Sequence, residues 1–280
     1  MESDFTDINY DSLYLYAFYI AIAVVFVVEV VAPRRLLQQS FAVRWLNNIG
    51  LNMVSAYVLR FLTPIAGIEL ALRLEVQGVG LFNLFEMPFW FALIATVLLL
   101  DFLAYVVHRM FHRYLVFWRC HLVHHADLDV DFTTHVRHHP FESMISLAVT
   151  LSFMLLVGFP ALGLLIYAIL AQVVSLFSHG NIAVPYKLDR VLRCFIITPD
   201  MHRVHHSVDK TETNSNYGIV FPCWDRLFNT YVAQPKKGHL DMVLGLDRFR
   251  SPRDLYIDRM LLLPFSKQAV RRAKPEDVTD

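Results

Sequence analysis

The chain has 280 residues, of which 56% are hydrophobic, and its 25 Lys plus Arg balance 25 Asp plus Glu; the mean hydropathy is +0.43. So much apolar surface exceeds the needs of a soluble core of this length, and the chain reads as an integral membrane protein. The balanced charge excludes a basic face for nucleic acid, and three scattered cysteines (Cys120, Cys194, Cys223) suit neither a disulfide framework nor a thiolate zinc site.

The first eleven residues are acidic and lack the basic start and small-residue cleavage site of a secretory signal, so the first apolar stretch is expected to be retained as an anchor. That stretch, residues 13–32, is interrupted only by Glu29 and ends in Pro33-Arg34-Arg35, whose charge places this end in the cytoplasm. A second span is expected over residues 49–72, kinked at Pro64 and carrying Arg60 as an interhelical or snorkelling cation. Residues 88–107 form the clearest span and return the chain to the cytoplasmic side, with His108 at its inner end. Residues 141–178 are mostly apolar and broken by Gly158-Phe159-Pro160, which predicts a helical hairpin with both ends on one side. Each arm has fewer than twenty residues, so full and partial crossing both stay open. The last hundred residues are more polar. Lys267, Arg271, Arg272 and Lys274 suit either an anionic inner leaflet or a solvated helix end. No fixed-period repeat interrupts a pattern that is helical throughout. The fold class is therefore all-α, with four to five apolar segments and a cytoplasmic, histidine-rich cap for two metal ions.

Of thirteen histidines, all but His239 lie between His108 and His206. They fall into His108-x3-His112, His121-x2-His124-His125, His135-x2-His138-His139, a single His179, and His202-x2-His205-His206. Residues three and four apart share a helix face, so each group can turn two or three imidazoles toward one point. Eight to ten imidazoles exceed what one ion accepts, which implies at least two metal ions. No Glu lies between His108 and His112, so the His-Glu-x-x-His helix of a zinc protease is absent. The Glu plus Glu-x-x-His pattern of carboxylate di-iron bundles and the two-His, one-carboxylate iron triad are missing as well. All-imidazole redox metals beside apolar spans suit iron that activates O2 against an unactivated C–H bond, although imidazole alone also accepts zinc or copper.

These groups, together with Asp101, Trp118-Arg119-Cys120-His121, Arg137, His139-Pro140, His179-Gly180-Asn181, Thr198-Pro199-Asp200-Met201-His202, Asn216-Tyr217-Gly218 and Trp224-Asp225-Arg226-Leu227-Phe228, resemble the fatty acid hydroxylase and sterol desaturase superfamily. The resemblance runs from Trp90 to Tyr231 and suggests membrane spans over 1–89, a catalytic domain over 90–232 and a cytoplasmic C-terminal tail over 233–280. It implies two iron ions held by His108, His112, His121, His124, His125, His202, His205 and His206, with His139 and His179 as further ligands. His135 and His138 complete a third copy of the spacing but do not match the family pattern.

Local chemistry bears on the last of these. Pro140 disfavours a helical His139, so residues 135–139 are not expected to form one helical face. Thr198-Pro199-Asp200 reads as an N-cap and first turn that present His202, His205 and His206. The hairpin returns His179 to the level of His108. Asp101, two turns before His108, is a candidate histidine-orienting carboxylate or structural partner of the site, with a helix-packing polar contact as the alternative. Asp127, Asp129, Asp131, Glu142 and Glu212 are further acidic candidates for that role, each more simply read as solvated or capping, and Trp224-Asp225 reads as a structural lock beneath the site.

The activity implied is O2-dependent hydroxylation or desaturation of a lipid, whether sterol, fatty acyl chain, ether lipid or carotenoid. It needs an external electron donor, a ferredoxin or small haem protein with its reductase, because the chain has no flavin or nicotinamide fingerprint. The location expected is a bacterial inner membrane or an ER-like membrane. A metal-dependent lipid hydrolase and a non-catalytic metal-binding membrane protein are the alternatives; transport sites lie near the midplane, whereas these histidines lie mostly outside the spans.

Overall fold

The computed structural model describes residues 9–62, 67–85 and 87–270. These are helical, with only the isolated bridges Pro33–Ile182 and Ser207–Leu244 in extended pairing. The principal helices are α1 (Tyr10–Val31), α2 (Phe41–Leu62), α3 (Gly67–Gln77), α4 (Leu81–Leu84), α5 (Phe89–Arg113), α6 (Leu115–His125), α7 (Pro140–Val157), α8 (Ala161–His179), α9 (Tyr186–Leu192) and α10 (Pro199–His205).

Four of them, α1, α5, α7 and α8, are long and apolar enough to cross a membrane. At 18 and 19 residues, the hairpin arms α7 and α8 each rise about 27–29 Å, close to the thickness of a hydrocarbon core. Helix α5 has 25 residues; a crossing uses about 20, so its last turns carry His108 and His112 out to one end of the bundle. The second expected span is described in two parts. Helix α2 ends at Leu62 and α3 begins at Gly67, and the kink expected at Pro64 lies outside the described residues. Arg44, Asn47, Asn48 and Asn52 make α2 too polar for a lipid-facing span, and Arg44 and Asn48 are buried.

Helix α8 is central, packed against α1 and α5, while α7 packs on α2. The arms are joined by a tight turn at which Gly158 (φ 70°) meets Gly80 (φ 100°). A Cβ on Gly80 would lie 2.4 Å from the Gly158 backbone, and one on Gly158 would lie 2.5 Å from the Val79 carbonyl oxygen. Both positions combine left-handed backbone with no space for a side chain, so glycine alone fits.

At the opposite, histidine-bearing end, Arg44 donates to Asp127 (2.9 Å) and to Asp131 (2.5 Å), all three buried. Arg137 joins them through Asn48 Oδ1 (3.0 Å) and the Val123 carbonyl (2.7 Å). Asp127 would be raised by its burial, yet Arg44 and Arg137 beside it hold its carboxyl well below the usual range. These aspartates are neither solvated nor metal-facing: they tie α2 to the loop after α6, and Asp131 also caps the short 3-10 turn Phe132–Val136. Asp129 likewise turns inward, accepting from the Gln38 and Gln39 amides at 2.8 and 2.7 Å.

The chain beyond 232 is continuous with the body as far as it is described. Leu246, Phe249, Met260, Leu263 and Ala269 pack with Trp118, Leu122 and Val123 of α6 in one apolar cluster. The basic positions Arg271, Arg272 and Lys274 lie outside the described residues.

Candidate metal centre

Nine imidazoles converge in two groups. His108, His112, His121, His125 and His205 form the first; His124, His179, His202 and His206 form the second, and within each group the ligand atoms lie within 4.8 Å of one another. The residue pairs four apart (108/112, 121/125, 202/206) each stay within one group, whereas the histidine between or beside them crosses over: His124 joins the second group and His205 the first. Consecutive helical residues point about 100° apart, so a His-His dipeptide cannot serve one ion and instead supplies one ligand to each group. The spacing therefore does not build one site per motif; it stitches α6 and α10 across both.

In the second group, His179 Nε2 lies 3.3 Å from His124 Nε2 and 2.9 Å from His202 Nε2, and His202 Nε2 lies 3.2 Å from His206 Nε2. A neutral imidazole has one N–H, so such a knot of nitrogens cannot satisfy itself by hydrogen bonds. Nitrogens about 2.0–2.1 Å from a shared tetrahedral ion would be about 3.3 Å apart, close to this spacing. In the first group the inward Nε2 atoms of His108, His121 and His205 are buried without a hydrogen-bond partner. The donor set fits a metal ion in each group.

The outward nitrogens are held. His108 Nδ1 donates to the Tyr217 carbonyl (2.8 Å), His205 Nδ1 to the Ser215 carbonyl (2.7 Å), His179 Nδ1 to the Ser175 carbonyl (2.8 Å) and His121 Nδ1 to Glu142 Oε1 (2.7 Å). Each such bond fixes the tautomer that turns Nε2 inward as a lone pair. Burial and then the neighbouring imidazoles push His124, His125, His202 and His205 well below the ordinary histidine range, and His206 to about 3. These rings are neutral, as ligands must be.

Two residues singled out in the sequence take structural places here. His139 enters neither group: it is the N-cap of α7, its Nδ1 accepting from the Phe141 amide and its Nε2 facing the Leu261 carbonyl at 3.3 Å. Pro140 drives this, because it forces His139 into extended backbone and starts the helix at its own position. Asp101 orients no histidine. Its carboxylate accepts from the Val220 and Phe221 amides (3.0 and 3.1 Å) and from Trp224 Nε1 (2.8 Å). It clamps the segment whose Tyr217 carbonyl holds His108, while Asp225 accepts from the Tyr217 and Gly218 amides at 2.8 Å each. Asn216, with the positive φ of 51° that asparagine tolerates, turns the chain into this segment.

Glu142, an acidic candidate read from sequence as more simply solvated or capping, is a carboxylate that reaches the imidazole groups. It is buried, and the same oxygen also accepts from His138 Nδ1 at 2.8 Å. A carboxylate in the first turn of an apolar span was the available signal; nothing in the spacing indicated that it meets His121. Glu212, the other acid read this way, is buried and accepts from the Lys236 amide at 2.6 Å. His138 stacks on His124 at 4.7 Å, and the His135 ring lies 5.7 Å from His179. Both line a cavity of about 260 Å³ that runs from the imidazoles into the bundle between α5, α7 and α8, past Val107, Ser146, Tyr167 and Leu164.

A helical bundle with four potential spans, two buried imidazole groups at one end and a slot leading to them defines a membrane protein with a paired histidine centre. Residues 93–230 match the family model for fatty acid hydroxylase, so the chain carries a fatty acid hydroxylase domain. It is 27% identical over 158 residues to an ornithine lipid hydroxylase of Rhizobium tropici, covering 56% of this chain and 46% of that protein. It is 29% identical over 197 residues to the alkylglycerol monooxygenase of Xenopus tropicalis (68% of this chain, 42% of that one). A very-long-chain aldehyde decarbonylase of Oryza sativa subsp. indica is 29% identical over 139 residues (46% and 22%). The chain thus spans less than half the length of these relatives, and no solved structure matches it.

Proposed function

We propose that this chain is an O2-dependent, di-iron membrane oxygenase that hydroxylates or desaturates a lipid. The observation that carries the reading is the pair of buried, neutral imidazole groups at the end of a slot between membrane-length helices. The first group would hold one iron through His108, His112, His121, His125 and His205, the second another through His124, His179, His202 and His206. When bound, two such irons supply the O2 activation that an unactivated C–H bond demands. Hydroxylation consumes O2, two electrons and two protons, leaving one oxygen in the product and one in water; desaturation sends both to water. The electrons come from a separate donor, a ferredoxin or small haem protein with its reductase. The chain's own part is to aim the imidazoles through Glu142 and the carbonyls of Tyr217, Ser215 and Ser175, and to seat a chain along the slot. The names of the relatives, which cite ornithine lipid and alkylglycerol, favour a lipid substrate with a polar head.

Protein purified without O2 is expected to hold two irons per chain and to form product only when iron, O2 and reductant are all present. Product formed without O2, or activity restored by zinc alone, would instead identify a hydrolase.

The imidazole end is assigned to the cytoplasm, on the strength of Arg34 and Arg35. Arg34 pairs with Asp200 at 3.2 Å, and Arg35 donates to the His239 and Met242 carbonyls at that end of the bundle. The exposed Cys194, between α9 and α10, should react with a membrane-impermeant maleimide only after cells are opened. Labelling of intact cells at Cys194 would reverse the orientation.

A further inference from the structure

The slot is uneven along its length. Its α5 wall is apolar from Leu100 to Val107, and Leu100, two turns before His108, lies with Leu164 at the end away from the imidazoles. The polar groups of the wall that are not assigned to metal gather at the other end. There His138 Nδ1 donates to Glu142 Oε1. Glu142 Oε2, beside it, is buried with no hydrogen-bond partner. Ser146, one turn deeper on α7, and Ser175 on α8 add hydroxyls to the same region. Deeper still, Thr150 already spends its hydroxyl on the Ser146 carbonyl at 2.9 Å, and the phenol of Tyr167 is the one polar exception. A buried carboxylate oxygen without a donor keeps its desolvation cost uncompensated, so this end of the slot calls for an occupant that brings an O–H or N–H. The bilayer sets the same direction: the imidazole end lies where α5 leaves the hydrocarbon layer, at the depth of lipid heads.

We propose that the slot takes a polar lipid head-first, its hydroxyl or amide donating to Glu142 Oε2 beside His138 and its chain running along α5 toward Leu100 and Leu164. The carbons beside the imidazole groups are then those next to the head, not the middle of the chain. This rests on the oxygenase reading for its consequence, the position of oxidation, but not for its geometry.

The test uses the full chain, metal-loaded, in lipid nanodiscs. Two photoprobes are made from one long-chain monoalkylglycerol, with a diazirine either beside the head or at the chain end. The head-side probe is expected to label peptides of residues 135–146, and the chain-end probe those of 100–104 and 164–167. The reverse pattern, or labelling indifferent to the probe, overturns the orientation. A competitor with its head hydroxyls methylated should compete about tenfold less well, the loss of one hydrogen bond to a charged acceptor. In Glu142→Gln, which keeps an oxygen for His121 and puts an amide N–H2 where Oε2 stands, the two competitors should become equal. A preference that survives in that variant, or a third metal ion on Glu142 and His138, rejects the head subsite. Labelling needs neither O2 nor electrons, so correct labelling without product rejects the oxygenase reading alone.

Discussion

Replacing His179 by alanine is expected to remove one metal ion of two and to cut product formation by at least about 100-fold, beyond the 10–100-fold typical for loss of a supporting contact. His139→Ala is expected to keep both ions. The two residues looked alike as ligand candidates, and their surroundings separate them. His179 Nε2 lies 2.9 Å from His202 Nε2 and 3.3 Å from His124 Nε2, while its Nδ1 is held by the Ser175 carbonyl. Its ring has no other use for the inward lone pair. Removing it leaves a coordination position open in a group of four, whereas the other group of five has no member on α8. The His139 ring works on backbone instead, so its loss weakens the start of α7 by about 1 kcal/mol, the usual worth of an N-cap. His135→Ala and His138→Ala should likewise retain both ions, since neither ring belongs to the two groups. Metal per folded chain, measured for the four variants alongside product, decides the matter. Two ions in His179→Ala, or one in His139→Ala, would reverse the assignment.

What the sequence made legible was whatever a single helix encodes. The four-residue spacing of His108/His112, His121/His125 and His202/His206 is a property of one helix face, and each pair does share a group. His179 was reachable only through topology, because its importance depends on α8 returning to the end where α5 stops. The crossing of His124 and His205 into the opposite groups was not legible, since it depends on how α6 and α10 face each other. The polar partners were harder still. The charge of Asp101 within an apolar span correctly marked a buried contact, but the partners lie at residues 220–224 and only the fold brings them there. Asp131 does cap a turn, as its residue type allowed, but the burial of Asp127 and Asp131 was not legible, because their partner Arg44 lies more than eighty residues earlier. The third copy of the histidine spacing forms no single helical face, as Pro140 indicated, because the proline overrides the periodicity; His139 came in through the family resemblance alone.

Glu142 offers the complementary experiment, because it should empty the first group while sparing the second. Its Oε1 accepts from His121 Nδ1 at 2.7 Å, which keeps the His121 lone pair on the inward Nε2. In Glu142→Ala that constraint is gone, and the ring is free to rotate or to protonate on the wrong nitrogen. Loss of such a partner lowers metal affinity by about 10–100-fold. Dialysis against a graded chelator should therefore strip one ion from Glu142→Ala at about 10–100-fold lower chelator than wild type requires, with the other ion retained. Glu142→Gln separates orientation from charge: its amide oxygen can still accept from His121, so its ion should be held more tightly than in the alanine variant. It should remain weaker than wild type, because a neutral acceptor binds the N–H less strongly than a carboxylate does. Equal retention of both ions in all three proteins would show that the backbone around α6 alone aims His121. Simultaneous loss of both ions in Glu142→Ala would show that the two groups form one cooperative unit, with His124 and His125 on neighbouring positions of α6 as its hinge.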